Sequence, residues 1–533
     1  MKQHSRFNLS LHYFLISFVL LALASCQKRE SASSSALRIS IEQDPSTLDP
    51  RRAQDLGTAS IIHMLYEGLM RSEKEGQHSP GIAEEVIVSP DQKTYTFKLR
   101  PAKWSNGDPL TAHDFEQTWK STLDPKFPSP NAYQLFVLKG GRAAKEGKGT
   151  TDEIGVHAVD DSTLVITLAQ PTPYFLNLIT THFYYPVHAS MRKETADSTT
   201  LPDSKIVTNG PFKLDRWQLH SEFIANRNPQ YWDSKRVALE KIHLMILDNP
   251  TALQLFKRGE LDWTGSPLST LSVESLSRLK EDGELETKPA AGIYLVRINT
   301  GQPPFHRTKM RRAFALALNR QDLVDRVLQG NQIPACGMIP PSFIEGKPLF
   351  KDCDIKLAKQ LFDEALKEQG LTWKNFPLVT IHYAANERAH KIAQVAQQQW
   401  KNNLGIDVNI QSVEPKIYFE KIKNHDYQLG IGSWFADIHD PIAFLDLFKS
   451  KYNGTNNTQW EHSKFMVLLN QSSLPEHFSR RKQLIKNAEN ILIREMPVIP
   501  LFFSSYNYVK NPNFKGFFFS ELGYIDFKNS YWD

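Results

Sequence analysis

Cysteine is scarce, three in 533 residues, and no two are spaced Cys-x-x-Cys, which excludes a thiol redox motif or a zinc ribbon. Long apolar runs are just as few. The single candidate, Leu9 to Ala24, is about 16 residues, short of the roughly 20 that span a bilayer comfortably. Charge of one sign is missing too. Lys and Arg number 63 against 58 Asp and Glu, a formal +5 that falls to +3 once Lys2 and Arg6 are removed. That balance is too mild to argue for nucleic acid. Catalytic signatures are absent as well: there is no His-Glu-x-x-His, no Gly-x-Ser-x-Gly, and no Gly-x-Gly-x-x-Gly after a strand. Gly141 to Gly149 carries Lys145 and Lys148 without phosphate-loop spacing and reads as a solvated loop. His439 between Asp437 and Asp440 is the nearest approach to a metal cluster, but a turn or binding role is more economical. The expectation is a protein without metal or cofactor, and not an enzyme.

What is present begins at the N-terminus. A basic start (Lys2, Arg6), the apolar run, and then Leu23-Ala24-Ser25-Cys26 read as an export signal over residues 1–25. Leu-Ala-Ser-Cys looks like a bacterial lipobox, making Cys26 the lipidated first residue of the mature chain and residues 26–36 a polar, Ser-rich tether. The expected location is extracytoplasmic, in the periplasm or its equivalent, on a bacterial membrane. The rest of the chain, about 500 residues, is too long for one core. Cys336 and Cys353 flank a Pro-rich stretch and form a possible disulfide in an oxidising compartment.

Strand-like and helix-like segments alternate. Leu37 to Ile41, Thr94 to Arg100 and Ser162 to Leu168 have the period of half-buried strands. Thr111 is placed to cap a helix through Phe115 and Trp119, after the turn Trp104-Ser105-Asn106-Gly107-Asp108. Arg311 to Leu328 has one apolar face and predicts a helix, as does His390 to Asn402, with Gly405 to Ile410 the following strand. This predicts a mixed α/β protein with more than one lobe.

Several segments carry a more specific likeness. They include Leu48-Asp49-Pro50, Leu65-Tyr66-Glu67-Gly68-Leu69, the stretch from Trp104 to Phe115, Asn209-Gly210-Pro211-Phe212, Asn228-Pro229-Gln230-Tyr231-Trp232, Gly259-Glu260-Leu261-Asp262 and Trp434-Phe435-Ala436-Asp437. In this order they resemble the oligopeptide-binding proteins of bacterial ABC importers, over essentially the whole mature chain. The resemblance implies a type II periplasmic-binding-protein-like, two-lobed α/β flytrap with an additional domain. Domain I would comprise residues 37–70, 187–292 and 496–533, domain II residues 71–186, and domain III residues 293–495. A peptide would lie between domains I and III, and the closed form would be recognised by an ABC permease with its ATPase. A monomer is expected, with membrane attachment through the lipid alone.

The resemblance also implies site residues. Asp437 matches an amine-binding aspartate. Gly432, Ser433, Trp434 and Phe435 match the strand that pairs with peptide backbone. Gln54, Asp55 and Leu56 match a ligand-facing loop, and Tyr133 a domain II aromatic. His390, with Lys421 and Lys423, falls where the ligand carboxylate is held. The chain departs from the pattern at Ile431, Ile422 and Gln54, where charges are usual. Those departures leave open a dipeptide, murein peptide, haem, nickel chelate or glutathione as solute. Outside the binding class, the rivals are a periplasmic peptidase or chaperone and a surface adhesin or sensor.

Overall fold

The alternation at the start of the mature chain becomes a central strand. Ala36–Ile41 pairs in parallel with Lys241–Ile246, Leu37 beside Ile242 and Ile39 beside Leu244, and these inward residues are fully buried. The computed structural model describes residues 36–192, 206–452 and 454–533. The export signal, Cys26 and the tether up to residue 35 lie outside the described residues, and Ala36, the last residue assigned to the tether, already belongs to the first strand. Among the described residues no helix is long and apolar enough to cross a membrane.

The main sheet runs in the order Phe212–Gln218, Glu222–Arg227, Lys241–Ile246, Ala36–Ile41, Trp263–Gly265, Val498–Lys510, Glu286–Ile298, Leu429–Phe435, Val379–Ala384, Val408–Val413. Its two middle strands, Glu286–Ile298 and Val498–Lys510, have 13 residues each and run through both halves. They pair from Glu286 with Tyr508 to Pro289 with Ser505, lose register, and resume from Ile293 with Phe503 to Arg297 with Val498. Pro289 has no N–H for the ladder. The Ala291 N–H turns away to the Glu521 carbonyl at 2.7 Å. The sheet therefore has two halves joined through this gap, and Val498 to Phe503 stays paired within the second half, so the return crossing lies near Ser504.

A separate four-stranded antiparallel sheet has the order Ala83–Val88, Thr94–Leu99, Thr163–Thr167, Val156–Asp160. The helix Ala112–Leu123 packs on it, started by a capping box between Thr111 and Asp114. Phe115, Trp119 and Leu123 are buried with Phe97, Leu164 and Ile166, and the Trp119 indole donates to the Tyr184 carbonyl at 3.1 Å. Each such fully buried large apolar side chain contributes about 1.5–3 kcal/mol.

Three expectations change. The helix expected over 311–328 is broken: Thr308–Leu316 ends, and a new turn begins at Arg320–Asp322. Asn319 causes the restart by accepting from the Asp322 N–H, while Trp400 and Asn403 donate to the freed carbonyls of Phe314 and Ala317. The Gly141–Gly149 loop begins as a short helix, Gly141–Lys145, and Lys145 is half-buried rather than free in solvent. Its ammonium donates to the carbonyls of Thr122, Asp124 and Phe127, closing the end of the neighbouring helix. Finally, the possible Cys336–Cys353 bond is not formed. Both are free thiols facing the Arg320–Asp352 ion pair, and burial pushes both thiol pKa values up.

Candidate ligand-binding site

Leu429–Phe435 pairs along its whole length with Glu286–Ile298, from Ile298 with Leu429 to Gly292 with Phe435. Its other neighbour, Val379–Ala384, pairs with it only at Leu429 and Gly430. From Ile431 onward that edge has no strand partner among the described residues. The Ala436 N–H donates to the Ala291 carbonyl at 2.8 Å, which sets the phase of the ladder. Gly430, Gly432 and Trp434 therefore bond inward, and the backbone groups of Ile431, Ser433 and Phe435 point to the open edge.

Glycine leaves room for a neighbouring side chain at two places here. A Cβ on Gly432 would overlap the Arg297 guanidinium, which crosses the strand at that point. A Cβ on Gly292 would overlap the Phe435 ring. Trp434 is anchored by donating to the Ala443 carbonyl at 2.9 Å.

Past the end of this strand lies Asp437. Gln134 Nε2 donates to its Oδ2 at 2.9 Å, and the Tyr133 hydroxyl approaches the same oxygen at 3.5 Å. Both come from the short helical segment Ala132–Val137 of the part carrying the four-stranded sheet. Among the described residues no Lys, Arg or His forms an ion pair with Asp437. Its atoms touch cleft solvent, yet the surrounding walls strip away enough hydration to raise its pKa, despite the opposing bonds from Gln134 and Tyr133. The Tyr133 phenol is pushed up to about 12, by burial first and then by the Asp437 charge, so it remains a neutral donor.

The two halves also face each other across a cavity of about 420 Å³, lined by Leu56, Pro267 and Thr270 from one half and Glu387, Arg388 and Phe435 from the other. That volume lies in the range of small-molecule sites. Its far wall is set by the start of the helix Glu387–Leu404, where Arg388 leans over the Tyr294 ring at 5.9 Å.

The remaining expected residues fall as follows. Leu56 lines the cavity. Gln54 is exposed on the loop before it. Asp55 is engaged locally, capping the helix Leu56–Leu65 through Thr58 N–H at 2.8 Å and accepting from Ser46 Oγ at 2.9 Å. His390 bonds Tyr383 through Nδ1 at 2.6 Å, Lys421 pairs with Asp426 at 2.5 Å, and Lys423 is exposed at the end of its helix. Nothing described joins these three to Asp437 or to the open edge. His439 and Asp440 diverge from Asp437: His439 lies 3.4 Å from Glu521 and stacks on Phe343, and Asp440 holds Arg481 through both oxygens. Ile422 and Ile431 are buried. Gln134 and Arg297 were missed. Gln134 adjoins Tyr133, and Arg297 is a lone charge within Leu295-Val296-Arg297-Ile298; the latter was the available signal.

A two-lobed sheet protein with an open strand edge, a carboxylate that meets no cation among the described residues and a cavity between the lobes has the architecture of a solute-binding protein. A sequence model of the bacterial extracellular solute-binding proteins, family 5, matches residues 77–456. The chain is 41% identical over 511 residues to the oligopeptide-binding protein OppA of Bacillus subtilis, covering 95% of this chain and 94% of that one. It is 34% identical over 515 residues to the dipeptide-binding protein DppE of the same organism, covering 95% and 93%. Among solved structures, the unliganded open form of the periplasmic murein tripeptide-binding protein MppA superposes with a TM-score of 0.79 at 27% identity, over 94% of this chain and 98% of that one. The chain belongs to family 5 of the bacterial extracellular solute-binding proteins, and its fold is the two-lobed α/β binding-protein fold.

Proposed function

We propose that this chain captures peptides carrying a free amine outside the cytoplasmic membrane and delivers them to an ABC permease and its ATPase. The observation that carries the reading is the uncompensated Asp437 carboxylate beside the open edge of Leu429–Phe435. An ammonium group supplies the missing charge through a charge-assisted hydrogen bond. The Phe435 N–H and C=O and the Ser433 N–H pair with an extended peptide irrespective of its side chains. The cavity between Leu56 and Phe435 takes one of those side chains. The relatives named for oligopeptides, dipeptides and a murein tripeptide share this peptide chemistry.

In this reading the protein is not catalytic and uses no metal or cofactor. Lipidated Cys26 holds it at the membrane. The gap between Pro289 and Ile293, with its counterpart near Ser504, serves as the hinge, which moves the end of domain III from residue 495 to about Ser504. Domain II, residues 71–186, contributes Tyr133 and Gln134 to the amine site.

The test is calorimetric titration of unfolded-and-refolded, ligand-free protein with peptides of two to six residues, each with a free and an acetylated amine. Binding that acetylation abolishes supports the reading. Folded protein that gives no heat with any peptide overturns it, and mass spectrometry of co-purifying solute would then identify the true cargo.

A further inference from the structure

The open edge is not open along its whole length. The Ile431 carbonyl already accepts from the Tyr418 hydroxyl, and the Ser433 carbonyl accepts from Arg297 Nη2 at 3.2 Å. Both are outward-facing acceptors that an added strand would otherwise use. An incoming backbone finds both N–H and C=O free only at Phe435, with the N–H alone at Ser433. The peptide ladder cannot continue past Ser433 without displacing a side chain.

What stands at that stopping point is a cation. Arg297 leaves the neighbouring strand opposite Gly430 and passes over Gly432, where the missing Cβ makes room. Its guanidinium reaches the edge at Ser433. It is half-buried, and among the described residues no carboxylate pairs with it. Lys421, the cation of the neighbouring helix, is neutralised by Asp426, and Arg388 stands over the Tyr294 ring on the cavity wall. Beneath lies an apolar bed of Tyr418, Ile422 and Tyr427, which offers no competing anion. With one donor on the Ser433 carbonyl and another toward the Tyr418 hydroxyl, the guanidinium still has donors left for a carboxylate.

We propose that Arg297 binds the terminal carboxylate of the ligand and so limits it to a short peptide. The inference rests on the amine-site reading of Asp437 and deepens it. Asp437 and Arg297 then form the two charged ends of one track. Position 437 is four residues on from 433, which at about 3.3 Å per residue allows at most roughly 13 Å. An extended tripeptide fits that span with its amine at Asp437 and its carboxylate at Arg297. A six-residue peptide overruns it.

The experiment titrates ligand-free protein with trialanine, its C-terminal amide, its N-acetyl derivative and hexaalanine. Wild type is expected to bind the free acid about 10- to 100-fold more tightly than the amide, the range for a hydrogen bond to a charged group, and more tightly than hexaalanine. In Arg297→Gln the acid and the amide should bind alike, and Arg297→Lys should restore part of the difference. If wild type itself binds acid and amide equally while acetylation still abolishes binding, the Arg297 assignment is wrong and the Asp437 reading stands. If none of these peptides binds to folded wild type, both fall. Should Arg297→Gln not fold, Arg297→Lys carries the test: a reduced preference for the acid supports the assignment, and an unchanged one overturns it.

Discussion

Asp437→Asn isolates charge at the amine site with little change of shape. Asparagine keeps a carbonyl oxygen for the Gln134 amide, now 2.9 Å away, and for the Tyr133 hydroxyl. It loses the negative charge that would meet the ligand's ammonium. Removing one member of an enclosed, hydrogen-bonded charge pair costs about 2–5 kcal/mol, or about 30-fold to several thousand-fold in affinity. The loss should appear by calorimetry for every peptide with a free amine and vanish for acetylated peptides, which bind wild type and variant equally poorly. The empty protein should respond in the opposite direction. Burial raises the native pKa of Asp437 above its unfolded value. Its stabilising contribution is therefore complete below the unfolded pKa and lost as pH rises through the native one. At neutral pH the ionised carboxylate is a burden on the ligand-free fold, and Asp437→Asn should melt no lower than wild type and somewhat higher. Unchanged peptide affinity, or equal losses for free and acetylated peptides, would refute the reasoning.

Gly432→Ala places a methyl group where the Arg297 guanidinium passes. The guanidinium must swing aside, which should reduce discrimination between a tripeptide and its amide with little change in denaturant stability; fully retained discrimination would show that Arg297 does not act at the edge. Burial lowers the His182 pKa from 6.5 to about 4. Stability it confers is present above 6.5 and lost as pH falls toward 4, about 3 kcal/mol in all. Urea midpoints at pH 7 and pH 4.5 should lie closer together in His182→Gln than in wild type. Cys26→Ser should move the protein from the membrane pellet to the soluble extracytoplasmic fraction, and a variant that still sediments would count against lipidation.

Much of this was legible beforehand because local rules decide it. The alternation of Leu37 to Ile41, the capping box at Thr111 and the turn at Gly107 need only neighbours in sequence. The proposed roles of Asp437 and the edge strand come from resemblance alone, since nothing local separates a ligand aspartate from one that caps a turn. The illegible part depends on register. Arg297 looks like a surface charge in a strand until the pairing places it opposite Gly430 and Gly432. Asp55 resembles a ligand contact until Thr58 claims it as a cap. The break at Asn319 hides within an unbroken apolar period, because its freed carbonyls are satisfied by Trp400 and Asn403 from a distant helix.

The Phe435 ring lies against Gly292, inside the gap where the two long strands lose register, and the same ring forms part of the cavity wall. A side chain that fills the cavity thus leans on the residue seated at the crossing between lobes. With the proposed hinge at that crossing, occupancy and lobe angle would form a single mechanical coordinate. A membrane partner that senses only that angle learns that cargo is aboard without reading what it is, and one docking surface can serve peptides that share no side chain.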